Sequence, residues 1–167
     1  MSTVPIRQDT VNESGSGRAA RTAAGDAFSD LVVRIFRLNG LLSAAGDGLA
    51  GTVGQSSARW QVLAMVEDGP RTVAETARTL GLARQSVQRI ADLLEAAGLV
   101  AYEANPRHRR ARLFGLTDVG RATLEAIQAA QQPWAERVGA LVGERTLRQA
   151  NAGLDRVLAA LGSSRSG

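Results

Sequence analysis

Apolar residues recur along most of this chain at helical spacing. From Asp26 onward Phe28, Leu31, Val32, Ile35, Leu38, Leu41 and Leu42 fall three and four residues apart, which predicts an amphipathic helix with one apolar stripe. The glycines at 46, 48, 51 and 54 are expected to end or loosen it. A second helix, capped by Ser56 or Ser57, carries Trp60, Leu63, Ala64 and Val66 and stops at Gly69-Pro70. Thr72-Val73-Ala74-Glu75 has the form of a capping box and starts a short helix ending at Leu80. After Gly81 a longer helix is predicted from about Ala83 to Ala97, with Gly98 as its terminator. Leu99 to Glu103 and Arg112 to Leu116 read as two short strands, and Ala104 to Ala111 as the tip of their hairpin. Thr117 caps a further helix with Asp118 in its first turn, where the helix dipole favours an anion. Leu124, Ile127, Trp134, Val138, Leu141 and Val142 give that helix an apolar side, and Pro133 predicts a kink or a break in it. The last helix starts near Glu144 and carries Leu147, Leu154, Val157, Leu158 and Leu161. Residues 1 to about 25 are rich in Ser, Gly, Thr and Ala and read as a flexible tail.

The two helices on either side of Gly81 satisfy the demands of a helix-turn-helix together. The turn needs a residue that tolerates positive φ, and Gly81 supplies it. The first helix needs a small residue where the second crosses it, and Ala77 lies four positions before the glycine. The second needs inner apolar anchors, and Val87 and Ile90 lie six and nine positions after it. Leu80 and Leu82 flank the turn. The outer face then carries Arg84, Gln85, Ser86, Gln88 and Arg89, side chains suited to base edges and phosphates in a DNA major groove. A charged outer face alone would fit a solvated helix equally well, so the turn geometry decides between the two.

Charge and composition narrow the chemistry. The net charge is +4, which permits nucleic-acid binding without requiring it. Its placement says more: 107 to 112 reads Arg-His-Arg-Arg-Ala-Arg, at the hairpin tip. Arginines there can enter a minor groove beside the recognition helix. All 20 basic residues are arginine, so no Walker lysine and no Schiff-base lysine exists. With no cysteine and His108 alone, disulfides, thiolate metal sites and thiol redox sensing are excluded, and no metal or cofactor is expected. No stretch of eighteen apolar residues and no apolar N-terminal core occurs, so neither a membrane span nor a secretory signal is expected, and a soluble cytoplasmic protein is.

Several segments in order resemble the MarR family of bacterial transcription regulators. They are 59–63 (Arg-Trp-Gln-Val-Leu), 73–82 (Val-Ala-Glu-Thr-Ala-Arg-Thr-Leu-Gly-Leu), 85–89 (Gln-Ser-Val-Gln-Arg), 94–100 (Leu-Glu-Ala-Ala-Gly-Leu-Val) and 116–120 (Leu-Thr-Asp-Val-Gly). The resemblance runs from about Asp26 to Leu161. It implies a mainly α fold with a small β-hairpin wing: a winged helix-turn-helix with a helical dimerisation lobe. The DNA-binding lobe would cover about 56–116, the dimerisation helices about 26–48 and 117–161, and a short tail 162–167. It implies a homodimer on a near-palindromic operator in double-stranded DNA, most often a repressor, released by a small aromatic or phenolic effector bound between the lobes. The apolar stripes at both chain ends independently favour a dimer. The candidate DNA-contacting residues are Thr72, Arg84, Gln85, Ser86, Gln88, Arg89, Arg107, His108, Arg109, Arg110 and Arg112. Arg110 is the expected minor-groove contact, with Arg107 and Arg109 on phosphates. The family's wing usually carries Asp, one residue, then Arg; here His108 stands at the Asp position, so Arg110 loses its usual anionic partner and His108 faces a phosphate instead.

Two other readings compete. A winged helix could serve as a protein-interaction module without operator specificity, which the arginine-loaded tip argues against. An enzyme would need clustered acids or bases, whereas the acidic residues are scattered along helices. Gly48-x-x-Gly51-x-x-Gly54 resembles a phosphate loop only loosely, because no strand is predicted before it.

Overall fold

A computed structural model describes residues 21–108 and 110–163. Among them are six helices and one three-stranded antiparallel sheet, a mostly helical winged-helix architecture. The chain divides into two compact units, Met1–Leu38 and Asn39–Gly167.

The first unit holds the start of helix α1 (Ala23–Gly51). The helix begins three residues before Asp26 because Thr22 caps it, its Oγ1 accepting from the Gly25 amide at 3.1 Å. Residues 1–20 of the expected tail lie outside the described residues, and 23–25 already belong to the helix. Phe28, Val33 and Phe36 are exposed.

The second unit contains the rest of α1, then α2 (Ser57–Ala64), β1 (Arg71–Thr72), α3 (Val73–Leu80), α4 (Arg84–Ala96), β2 (Val100–Glu103), β3 (Leu113–Leu116), α5 (Asp118–Val142) and α6 (Glu144–Ser163). Glycines 46 and 48, expected to loosen α1, lie inside it. Gly46 is buried against Ser57, which stands where a side chain at 46 would go, so packing and not flexibility accounts for it. Ser56 caps α2, and the chain leaves the helix at Met65, earlier than Gly69-Pro70 predicted, through turns over 65–68. Of the kink or break expected at Pro133, the break is absent: α5 is continuous through it. Of the expected C-terminal tail, 162 and 163 are helical and 164–167 lie outside the described residues.

The sheet has the order β1-β3-β2. Tyr102 pairs with Phe114 across the hairpin, and Phe114 pairs with Arg71 on its other side. Val62, Leu63, Val66, Val87, Ala91, Leu94, Val100 and Phe114 are essentially inaccessible and form one core with Leu124. Burial of such side chains contributes about 1.5–3 kcal/mol each. This core fixes α3, α4 and the sheet as one body. Among the described residues no helix is long and apolar enough to cross a membrane.

Candidate nucleic-acid interface

The turn between α3 and α4 forms as its residues dictate. Gly81 has φ +66°, the left-handed conformation that costs glycine little. Its amide donates to the Arg78 carbonyl at 3.3 Å and the Leu82 amide donates to Ala77 at 3.0 Å, the paired bonds that close a helix C-terminus. Ala77 and Val87 are buried at the crossing, and Ile90 packs against them half-buried. Leu82, expected to flank the turn alongside Leu80, is 41% exposed while Leu80 is half-buried.

At the start of α3 the capping box is complete. Thr72 Oγ1 accepts from the Glu75 amide at 3.2 Å, and the Thr72 amide donates to Glu75 Oε2 at 2.9 Å. The Thr72 hydroxyl also donates to Glu75 Oε2 at 2.7 Å. These bonds from the Thr72 backbone and side chain hold the Glu75 carboxyl below the usual carboxylate range. Thr72, one of the candidate contacts, is 8% exposed, and its hydroxyl bonds to Glu75 inside this box.

On α4, Arg84, Gln85, Ser86 and Arg89 are exposed, and neither Arg84 nor Arg89 forms an ion pair among the described residues. The N-cap of α4 is Ala83, which has no side chain to accept from the first amides. The Ser86 amide donates to the Ala83 carbonyl at 3.0 Å, and the helix dipole favours an anion at the amides before it. Gln88 differs from its neighbours. Its Nε2 donates to Asp92 Oδ1 at 2.7 Å and to the Tyr102 hydroxyl at 2.9 Å, while that hydroxyl donates to Asp92 at 3.2 Å. The amide donors of Gln88 therefore tie α4 to the wing. Burial, with the Asp92 charge and hydrogen bond adding to it, pushes the Tyr102 phenol up to about 12, so it stays a neutral donor. Asp92 and Tyr102 were not singled out in the sequence. The Gln88–Asp92 spacing of four was visible there, since such pairs share a helix face; the tyrosine depends on the strand register.

In the wing, Arg112 donates from Nη2 to the Tyr102 carbonyl at 3.1 Å, and its guanidinium lies 4.8 Å from the Tyr102 ring centroid. Asn105 Oδ1 accepts from the Arg107 amide at 2.9 Å, and the His108 carbonyl accepts from the Ala111 amide at 2.9 Å, so one side chain and the backbone shape the tip. Arg107, His108 and Arg110 are exposed and carry no ion pair among the described residues; Arg109 lies outside them. Thr72, Arg84, Gln88, Arg110 and Arg112 line one depression of about 230 Å³ between α4 and the wing. Arg107 and His108 lie on another depression, with Arg78 and Asn105. The described candidates thus lie on α4 and the wing, except Thr72 at the start of α3, with Arg78 as an unforeseen neighbour.

Elsewhere in the second unit, α1 from Asn39, α2 and α5 line a cavity of about 390 Å³ that contains Trp60 and Trp134. Among the described residues no group of three His, Cys, Asp or Glu side chains comes together to hold a metal.

Comparison with known proteins places this geometry. The model of the MarR family matches residues 54–111, which span α2 to the wing tip. An uncharacterised protein of Mycobacterium tuberculosis is 38% identical over 140 residues, covering 84% of this chain and 98% of its own length. Among solved structures, a MarR family regulator from Neisseria meningitidis superposes with a TM-score of 0.67 at 23% identity, covering 84% of this chain and 96% of that one. CouR from Rhodococcus jostii RHA1, solved bound to p-coumaroyl-CoA, gives 0.69 at 22% identity, covering 77% and 91%. At these identities the two structures speak for the fold alone.

Proposed function

Because the chain belongs to the MarR family, we propose that it is a sequence-specific transcription regulator of double-stranded DNA, a homodimeric repressor that a small organic ligand releases. One observation carries this reading: the outer face of α4 presents Arg84, Gln85, Ser86 and Arg89 exposed, beside a wing whose Arg107 and Arg110 have no carboxylate partner among the described residues. Unpaired arginines on a rigid helix and hairpin match what DNA offers, phosphates along the backbone and guanine edges in the groove. In this reading α4 enters the major groove, Arg110 reaches the adjacent minor groove, and Arg107, His108 and Arg109 meet phosphates. Gln85 and Ser86 meet base edges or phosphates. Gln88, Arg112 and Thr72 hold the reading surface in shape.

The DNA-binding lobe then covers about 56–116, and helices over about 26–48 and 117–161 form the dimer. The dimer is supported by apolar side chains left in solvent: Phe36 is 72% exposed, Leu141 87% and Leu158 67%. The α6 helix buries no residue within one chain. A two-fold protein suits a near-palindromic operator. The 390 Å³ cavity supports a small-molecule effector, and CouR's p-coumaroyl-CoA is a precedent for an aromatic one. A DNA target sets the compartment as the cytoplasm.

The test is a duplex-binding titration with the promoter beside the protein's own gene, run at several salt concentrations. Binding at low salt should weaken steeply as salt rises, because each phosphate contact releases a counterion. No affinity at low salt would sink the regulator reading.

A further inference from the structure

The lining of the 390 Å³ cavity contains no ionisable side chain. It is made of aliphatic groups, two indoles, two hydroxyls and four carboxamides, drawn from α1 beyond Asn39, from α2 and from α5. Trp60 and Trp134 are the only tryptophans of the chain, and both are here. Two of the carboxamides are already engaged: Gln128 Nε2 donates to Glu67 at 2.9 Å and Gln61 Nε2 donates to Ser57 at 3.4 Å. Asn39 and Gln131 have no side-chain hydrogen-bond partner among the described residues, so each offers a donor and an acceptor to an occupant.

The charged groups hydrogen-bonded to this lining, among the described residues, are carboxylates. Glu67 stands behind Gln128, and Asp47 stands behind Ser57, whose amide it accepts at 2.7 Å. No guanidinium lines the cavity to neutralise an anion. A carboxylate entering it would lose water without gaining a charged partner and would face two like charges. A cation would gain indole faces and a distant attraction to those carboxylates, but no carboxylate in the lining to replace the water it loses. An uncharged aromatic ring meets none of these costs, stacks on indole, and can match the free carboxamides through its own donor–acceptor pair.

We propose that this cavity binds an uncharged planar aromatic molecule bearing an amide- or lactam-type donor–acceptor pair, and that it rejects aromatic carboxylates. The inference rests on the reading of the protein as an effector-controlled regulator, and names the chemistry of the effector.

Benzamide, benzoate and benzamidine share one shape and carry charges of zero, minus one and plus one at neutral pH. Each is titrated into the full chain and followed by indole fluorescence, which reports only on this cavity because both tryptophans line it. Benzamide should give a saturable change with a dissociation constant at least tenfold below those of the other two. A Gln131→Arg variant, whose circular dichroism is checked against the parent, should reverse the order and admit benzoate at least tenfold better than the parent does. Either charged probe binding the parent as tightly as benzamide would overturn the proposal, and so would no saturable change with any probe at millimolar concentration. So would a folded Gln131→Arg chain that still excludes benzoate. Duplex binding is measured on the same preparations: if it persists while benzamide fails, the ligand class falls and the DNA reading stands, and the converse result separates them the other way.

Discussion

Gln88 sits on the outer face of α4 by helical periodicity, yet both donors of its amide are held, by Asp92 and by the Tyr102 hydroxyl. A bidentate contact to adenine needs the donor and the acceptor of one amide together, so the exposed polar side chains left on this face of the helix are Arg84, Gln85, Ser86 and Arg89. Arg84→Ala and Arg89→Ala should each cost about 1–3 kcal/mol on operator DNA and relax specificity, whereas Arg110→Ala should weaken all duplexes evenly. Parallel titrations on operator and random DNA check this; equal losses for all three would refute the division. Tyr102 gives a second test. Its phenol is raised from 10 to about 12 in the fold, so between those values the unfolded chain loses a proton that the folded chain keeps. Stability from this group is present below about pH 10 and should fall as pH rises toward 12. Tyr102→Phe should remove that slope from denaturation curves and cost about 1 kcal/mol at neutral pH. Residue types and helical spacing made the outer face legible in the sequence. The tyrosine's part was not, because it reaches α4 only through a strand register that periodicity cannot supply.

Three helix starts were legible because a side chain acts within its own turn, although the Thr22 cap of α1 was missed. Ser56, Thr72 and Thr117 cap the helices they were expected to cap. Features set by distant packing were not. The two-residue strand β1 escaped notice because Arg71 and Thr72 form a strand only by pairing with Phe114 and Leu113. Pro133 was expected to kink or interrupt its helix, and the helix runs on through it. The join between wing and α5 is of the same kind. Thr117 donates from its amide to Leu99 O at 3.1 Å and from Oγ1 to Gly98 O at 2.6 Å. These bonds draw α5 so close that a Cβ at Gly120 would collide with the Leu99 carbonyl oxygen. Gly120→Ala should therefore destabilise the fold by about 1–3 kcal/mol, against the usual gain from alanine in a helix. A urea midpoint that rises instead would show that the join is not tight.

For the whole molecule the balance of apolar surface matters most. Leu141 and Leu158 are exposed in one chain, and truncating or charging them costs the monomer's core nothing. The parent should sediment as a dimer at micromolar concentration, and a Leu141→Glu, Leu158→Glu double variant as a folded monomer. A parent that sediments as a monomer, or a double variant that stays dimeric, would contradict that arrangement of helices. The continuity of α5 has a mechanical consequence. Gln128 and Gln131 border the cavity, and Gly120 is wedged against the base of the wing, on one unbroken helix. At 1.5 Å per residue the span from Gly120 to Gln131 is about 16 Å. With no joint between them, a rod of that length acts as a lever. A tilt of α5 by a few degrees at the cavity end would carry the base of the hairpin at the other, so the wing would move by rotation without having to unfold.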